Sequence, residues 1–159
     1  RDGQPVADPF TDVSGAEEIP ANGAVIVSLE QWQTRQDELL ARRAPLGIVL
    51  RSHEDPAAIR DDLGHFSVIA LDFPKFRDGR AYSWARLLRE RYGWRGELRA
   101  VGDVLQEQLG FMERCGFDSF AVQATDPAAA WQAVARDRST WYQATGDGRP
   151  RAMDLRQRR

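Results

Sequence analysis

The chain has only one cysteine, Cys115, and only one lysine, Lys75, among its 159 residues. A single cysteine excludes an internal disulfide, a CxxC redox pair and an all-cysteine metal or iron–sulfur site. The formal net charge of -2 gives no electrostatic basis for binding nucleic acid. The apolar runs are far too short to span a membrane, and no charged-then-apolar leader opens the chain. We therefore expect a cytoplasmic protein that binds neither nucleic acid nor a membrane.

Common cofactor-binding and catalytic motifs are also absent from the sequence. No Gly-x-Gly-x-x-Gly follows a predicted strand, and there is no P-loop, no His-Glu-x-x-His and no Gly-x-Ser-x-Gly elbow. The pattern predicts no metal site and identifies no cofactor, so the cofactor is unknown, with a flavin as one candidate. Whether the chain is an enzyme stays open at this point.

The composition along the chain predicts three segments. Residues 1–22 mix proline, glycine and acidic residues without periodicity, which is typical of an irregular N-terminal arm. Residues 23–145 are expected to form a single α/β domain, and residues 146–159 a basic C-terminal tail.

Short apolar runs alternate with helical patterns throughout the predicted domain. The expected strands are 24–27, 46–50, 67–73, 97–101 and 119–122. About five consecutive βα units predict a parallel sheet covered by helices. Five strands suit a flavodoxin-like sandwich. We favour it over the alternative, a partial βα barrel, because a lone half-barrel leaves sheet edges and an apolar face exposed.

Three residue types mark the predicted helix ends. Ser28, Asp55 and Asp103 are expected to cap the first turns of helices, and Gly116 to end one. The first of these helices is expected to reach Leu40. A central helix over 81–92 is expected to turn Arg86, Arg89, Glu90 and Arg91 outward, while Cys115 is expected to lie in the core.

A charged stretch, FPKFRDGRAYSWARLLRERYGWRGELRAVGD, occupies residues 73–103. In a parallel sheet the loops that follow the strands lie at the carboxyl edge, where open α/β folds bind ligands. Eight side chains are predicted to meet at that edge: Arg51, His53, Asp72, Lys75, Arg77, Asp78, Arg80 and Asp103. Their cations suit an anion or an acidic partner. Alternatively, Arg77 and Arg80 pair with Asp78 and Asp103 and only order the loop.

Arg99 is a ninth candidate for anion or partner binding. It lies inside an apolar strand, between Leu98 and Ala100. A buried charge is costly unless it is paired. We predict that Asp72 or Asp103 is its partner, in a site or in a purely structural salt bridge.

The motif string of the centre resembles a known bacterial family. The matching segments are FPKFRDGRAYS, ARLLRER, GELRAVGDV and RCGFD, which lie within about residues 46–122. The family is the domain of unknown function nine-three-four. The positions that match its motif are Phe73, Pro74, Lys75, Phe76, Asp78, Gly79, Arg80, Ser83, Arg86, Arg89, Arg99, Gly102, Asp103, Arg114, Gly116, Phe117 and Asp118.

This resemblance implies a pathway rather than a set of catalytic residues. Genes of the family tend to lie beside the haemoprotein subunit of sulfite reductase, and members are often labelled probable oxidoreductases of sulfite reduction. The resemblance thus implies an accessory or electron-delivery protein of assimilatory sulfite reduction. Its expected partners are the sulfite reductase haemoprotein subunit or a ferredoxin-like electron donor. The alternatives are an oxidoreductase with a bound flavin, and a small-anion-binding enzyme or sensor.

Overall fold

The computed structural model describes residues 4–75, 77–122, 126–137 and 153, without side chains at 135–137. The predicted tail 146–159 therefore lies outside the described residues except for Met153, and Phe76 lies outside them as well.

The described residues form six strands and five α-helices. The strands are β1 Phe10–Asp12, β2 Ala24–Ser28, β3 Leu46–Leu50, β4 Val68–Phe73, β5 Glu97–Gly102 and β6 Ser119–Phe120. The α-helices are α1 Leu29–Thr34, α2 Gln36–Leu40, α3 Arg80–Arg86, α4 Leu109–Cys115 and α5 Pro127–Asp137. Two 3₁₀ segments, Pro56–His65 and Gln106–Gln108, and a π turn, Leu87–Arg91, complete the regular structure.

All six strands are parallel and follow one another in the sheet in the order of the sequence. The predicted α/β class with a parallel sheet is confirmed. A sequential order has no reversal point, and right-handed crossovers then place every connecting helix on the same face of the sheet. The sheet curls into a half-barrel, which was the alternative to the flavodoxin-like sandwich that the sequence favoured.

The two faces of the curled sheet carry different side chains. The convex face packs against the helices, and Ile48, Ile69 and Leu71 there are almost fully buried together with Trp32. The concave face carries a smaller apolar cluster with four fully buried members: Ile26, Val49, Val68 and Ala70. Both faces of β4 are therefore covered, as its continuous apolar run predicts.

Three of the predicted helix ends are confirmed. Ser28 caps α1 through a capping box with Gln31, Asp55 accepts a hydrogen bond from Ala57 N at 2.8 Å, and Gly116 ends α4 with φ 105°. The helix expected from Ser28 to Leu40 is instead divided at Arg35. Thr34 Oγ1 donates to Glu30 O at 2.8 Å, a back-bond of the kind that bends helices.

Asp103 is not the N-cap residue that was predicted, because the next helical segment, Gln106–Gln108, has Leu105 at its N-cap position. Its backbone N donates to Phe73 O at 2.7 Å, which continues the hydrogen-bond ladder between β4 and β5 beyond Gly102. The chain is therefore still tied to the sheet at Asp103, and α4 begins only at Leu109.

The N-terminal segment is not wholly irregular, contrary to expectation. Phe10–Asp12 forms β1 and pairs with β2 in the register Phe10↔Ala24. The Phe10 ring packs against the apolar cluster of the concave face. Three residues are too few to show a strand period, which is why the pattern did not reveal β1.

No helix among the described residues is both long enough and apolar enough to cross a membrane.

Candidate functional site

The carboxyl ends of β3 and β4 bring two predicted site residues together. Arg51 directly follows β3, and Asp72 is the second-to-last residue of β4. Arg51 NH1 and Asp72 Oδ2 are 3.4 Å apart, with the arginine half exposed and the aspartate largely covered. Parallel pairing of the two strands, in the register Leu50↔Leu71, places these side chains side by side.

Asp78 and Arg80 tie the loop after β4 to the loop after β3. Asp78 Oδ1 accepts from Arg80 Nε at 3.0 Å, and Asp78 Oδ2 accepts from Arg80 NH2 at 2.7 Å. Arg80 NH2 also donates to Ser52 Oγ at 3.0 Å. Hydrogen bonds from Arg80, and then from Ser52, hold the pKa of Asp78 well below its usual range. The pairing of Arg80 with Asp78, one of the two interpretations of this loop, is thus present.

Three predicted basic residues of the edge remain exposed. His53, Lys75 and Arg77 have no ion pair or side-chain hydrogen bond within the described part of the chain. Lys75 opens a turn that is closed by a 2.9 Å hydrogen bond from Asp78 N to Lys75 O. Asp78, which Arg80 holds, thus closes the turn that carries Lys75 and Arg77.

Two edge residues escaped the sequence analysis. Ser52 is buried, and its carbonyl oxygen accepts a 3.1 Å hydrogen bond from Trp84 Nε1. Trp84 therefore fixes the β3 loop from α3, while Ser52 supports Arg80. The available signal was the position of Ser52 directly beyond a strand, at the same edge as the charged loops.

Arg99 does not belong to this edge, and the prediction that it pairs with Asp72 or Asp103 is wrong. Asp72 is aligned with Val101, two residues beyond Arg99, and faces Arg51. Arg99 points from β5 into the concave side of the sheet, where it pairs with Glu97 and Asp8.

Arg89 is a structural clamp rather than an outward-facing charge. The π turn carries it inward, where its side chain is only 15% exposed. Its nitrogens donate to the carbonyl oxygens of Gly116, Trp94 and Gly96 at 2.9, 2.8 and 2.9 Å, and to Asp118 Oδ2 at 2.5 Å. The outward prediction for Arg89 is wrong because it assumed a regular helical period. Three positions of the motif string, Arg89, Gly116 and Asp118, thus have a structural role.

Tyr82, on α3 beside the edge, gives a pH-dependent prediction. Its ring packs against Phe73 and Phe111 at centroid distances of 5.1 and 4.9 Å. Burial, followed by the neighbouring Cys115 thiolate, raises the pKa of Tyr82 from 10.0 to about 12. The folded state holds the phenol proton more tightly than the unfolded chain does. The contribution of Tyr82 to stability is therefore complete below pH 10 and is lost as the pH rises to about 12.

Urea unfolding of wild type and Tyr82→Phe at a series of alkaline pH values measures this effect. The wild type should lose stability across that range relative to the phenylalanine variant, which has no phenol to ionise. Parallel curves for the two proteins would contradict the assignment.

The described residues contain no group of three or more histidine, cysteine, aspartate and glutamate side chains that could hold a metal ion. Cys115 is buried in the core, as predicted, and burial raises the pKa of its thiol.

Fold and site together describe a half-barrel α/β protein with a charged loop edge. Residues 47–152 match the family described as "Bacterial protein of unknown function (DUF934)". The match covers more than half of the chain, so the chain belongs to this family, and the resemblance noted in the sequence is confirmed. No curated protein matches the chain.

Proposed function

We propose that this protein is an accessory or electron-delivery protein of assimilatory sulfite reduction that acts with the sulfite reductase haemoprotein subunit. Membership of the family supports the pathway, since genes of this family tend to lie beside the gene for that subunit. The charged loop edge supports the mode of action, because it offers a surface on which an acidic protein can dock.

The observation that carries the docking role is the pair of unpartnered cations on an anchored turn. Within the described residues, Lys75 and Arg77 have no carboxylate partner, whereas Asp72 and Asp78 at the same edge are each bound by an arginine. The edge therefore has positive charge available to a partner while its own carboxylates are occupied. Complementary charge steers encounters between proteins and raises association rates more than it raises final affinity. An acidic electron carrier of the ferredoxin type, or an acidic patch on the haemoprotein subunit, suits this surface.

Binding to the purified haemoprotein subunit and to a ferredoxin, measured at low and high salt, tests the proposal. We expect binding at low salt that weakens as salt rises, because exposed charges are screened. In Lys75→Glu/Arg77→Glu the association rate at low salt should fall by about tenfold or more.

The matched control is Arg43→Glu/Arg91→Glu, which changes the net charge by the same amount. Both arginines are exposed and precede strands, so they lie at the opposite edge of the sheet. Equal losses of association rate in the two double variants would show that the effect comes from net charge alone. That result would contradict a docking site at the loop edge. Absence of binding to either protein at low salt would refute the proposed role.

The visible absorption spectrum of the purified protein separates accessory binding from electron carriage. Flavin bands that persist through gel filtration would make the chain itself the carrier. A spectrum that stays featureless after incubation with flavin would place electron transfer in the partner proteins and leave this chain as the accessory component.

A further inference from the structure

A cavity of about 680 Å³ opens on the concave side of the sheet and extends past β6 to residues of α4 and α5. Strand residues form one side of it, and the N-terminal residues 4–9 form another. Most of its wall is apolar, with contributions from Ile26, Phe10, Val101, Phe120 and Trp131. The volume is in the range of small-molecule sites. The cavity is separate from the loop edge, where the proposed docking residues follow the strand ends.

One buried cation faces this apolar cavity. The Arg99 side chain is only 11% exposed, and its Nε and NH2 donate to Glu97 Oε1 at 3.0 and 2.9 Å. Ser119 Oγ donates to the same Glu97 oxygen at 2.7 Å, so the carboxylate is held from two strands. The guanidinium lies 5.7 Å from the centre of the Phe10 ring. Glu97 and Phe10 thus fix the orientation of Arg99 and leave NH1 directed elsewhere.

The remaining nitrogen of Arg99 is bound by Asp8, a residue of an exposed segment whose Oδ1 also accepts from Phe10 N at 3.0 Å. NH1 donates to Asp8 Oδ2 at 2.6 Å, and the Asp8 side chain is 50% exposed. Asp8 belongs to residues 4–9, which are exposed and form neither helix nor strand. The half-exposed Asp8 carboxylate stays partly hydrated, so its pair with Arg99 is easier to exchange than a pair buried on both sides. A second carboxylate can therefore replace Asp8 without disturbing the pair between Arg99 and Glu97.

From this arrangement we infer that the concave cavity binds a small organic monocarboxylate with an apolar or aromatic body. Its carboxylate occupies the position of the Asp8 carboxylate on Arg99 NH1, and its body contacts the apolar wall near Phe10, Val101 and Trp131. Exchange of one carboxylate for another keeps the charge around Arg99 balanced. A neutral ligand would leave NH1 without a partner after Asp8 has moved, and burial of an unpaired charge is costly.

A purely structural role accounts less well for this pair of buried charges. Replacing buried ion pairs with apolar residues of similar size is often neutral or stabilising. The rest of the concave face is apolar and fully buried at Val68 and Ala70, so stability alone does not require a charge at Arg99. A fixed guanidinium in an apolar cavity is instead what recognition of a carboxylate needs.

Binding of 2-naphthoate to the full chain, followed by NMR shifts of the Ile26 and Val101 methyl groups and the Trp131 indole, tests this inference. We expect a dissociation constant on the order of 1 mM or tighter for a ligand of this size. The neutral isostere 2-naphthamide and inorganic sulfate should bind at least about tenfold more weakly.

The decisive variant is Asp8→Asn, which removes the competing carboxylate from an exposed segment. It should bind 2-naphthoate about two- to fivefold more tightly than wild type, the range set by the modest strength of a half-exposed ion pair. Arg99→Met should abolish the shifts. Since that variant could fail to fold, the Asp8→Asn comparison stands independently. Unchanged or weaker affinity in Asp8→Asn, equal binding of the amide, or no binding of 2-naphthoate to Asp8→Asn would each overturn the inference.

Discussion

Replacement of Arg89 by alanine should lower the free energy of unfolding by about 3–5 kcal/mol. The side chain joins the π turn to three carbonyl oxygens and to Asp118. Asp118 Oδ2 also accepts from Leu98 N at 2.9 Å, so the clamp reaches the start of β5. Removing the guanidinium takes the Arg89 donors from the carbonyl oxygens of Gly116, Trp94 and Gly96, and an unsatisfied buried polar group is costly. Urea denaturation followed by circular dichroism measures the loss.

Arg86→Ala is the matched control for this prediction. Arg86 lies three residues earlier, at the end of α3, is half exposed, and pairs with Glu90 at 3.0 Å in an i,i+4 arrangement. An exposed pair of this kind contributes about 0.3–0.5 kcal/mol. Arg89→Lys should recover only part of the loss, because a single ammonium cannot reproduce the planar fork that reaches separate acceptors. If Arg86→Ala and Arg89→Ala destabilise the protein equally, the clamp has no special role.

Local patterns were enough to predict the sheet and most helix ends. The apolar runs gave β2 to β5 nearly to the residue, and Ser28, Asp55 and Gly116 act at the ends where simple chemistry places them. Each of these features depends on residues close in sequence. The strand order does not, since it depends on how the crossovers pack, and so the pattern did not reveal that the half-barrel, rather than the favoured sandwich, is formed.

The wrong predictions have a common physical cause: the positions of these side chains depend on distant residues or on irregular backbone. The Asp8 partner of Arg99 is 91 residues away, on a segment without any period. The inward position of Arg89 depends on a π turn, which changes the helical phase without a sequence signature. By contrast, the pairs Arg51–Asp72 and Asp78–Arg80 were within reach of prediction, because parallel topology alone brings the ends of neighbouring strands together.

Gly102→Ala should destabilise the protein by about 2–6 kcal/mol and disturb the charged edge at the same time. Gly102 has φ 88°, a conformation that costs a non-glycine residue about 1–3 kcal/mol. A Cβ there would lie 2.5 Å from Phe73 O and 2.6 Å from Asp72 Oδ1, and relieving such contacts typically adds about 1–3 kcal/mol. Phe73 O accepts the hydrogen bond of Asp103 N, and Asp72 is the partner of Arg51. The added methyl group therefore acts on both the β4–β5 ladder and the Arg51–Asp72 pair.

Gly79→Ala separates this effect from the general loss of a glycine. Gly79 precedes α3 with φ -89°, and its nearest neighbour to a new Cβ is Tyr82 Cδ2 at 3.8 Å, an ordinary contact. The free energy of unfolding of the Gly79→Ala variant should stay within about 0.5 kcal/mol of wild type. Denaturation curves of the two variants, with NMR shifts of the Arg51 and Asp103 amides as local reporters, compare them directly. Similar stabilities for both variants, or unmoved amide shifts in Gly102→Ala, would show that the close approach of Gly102 to β4 does not hold this edge in place.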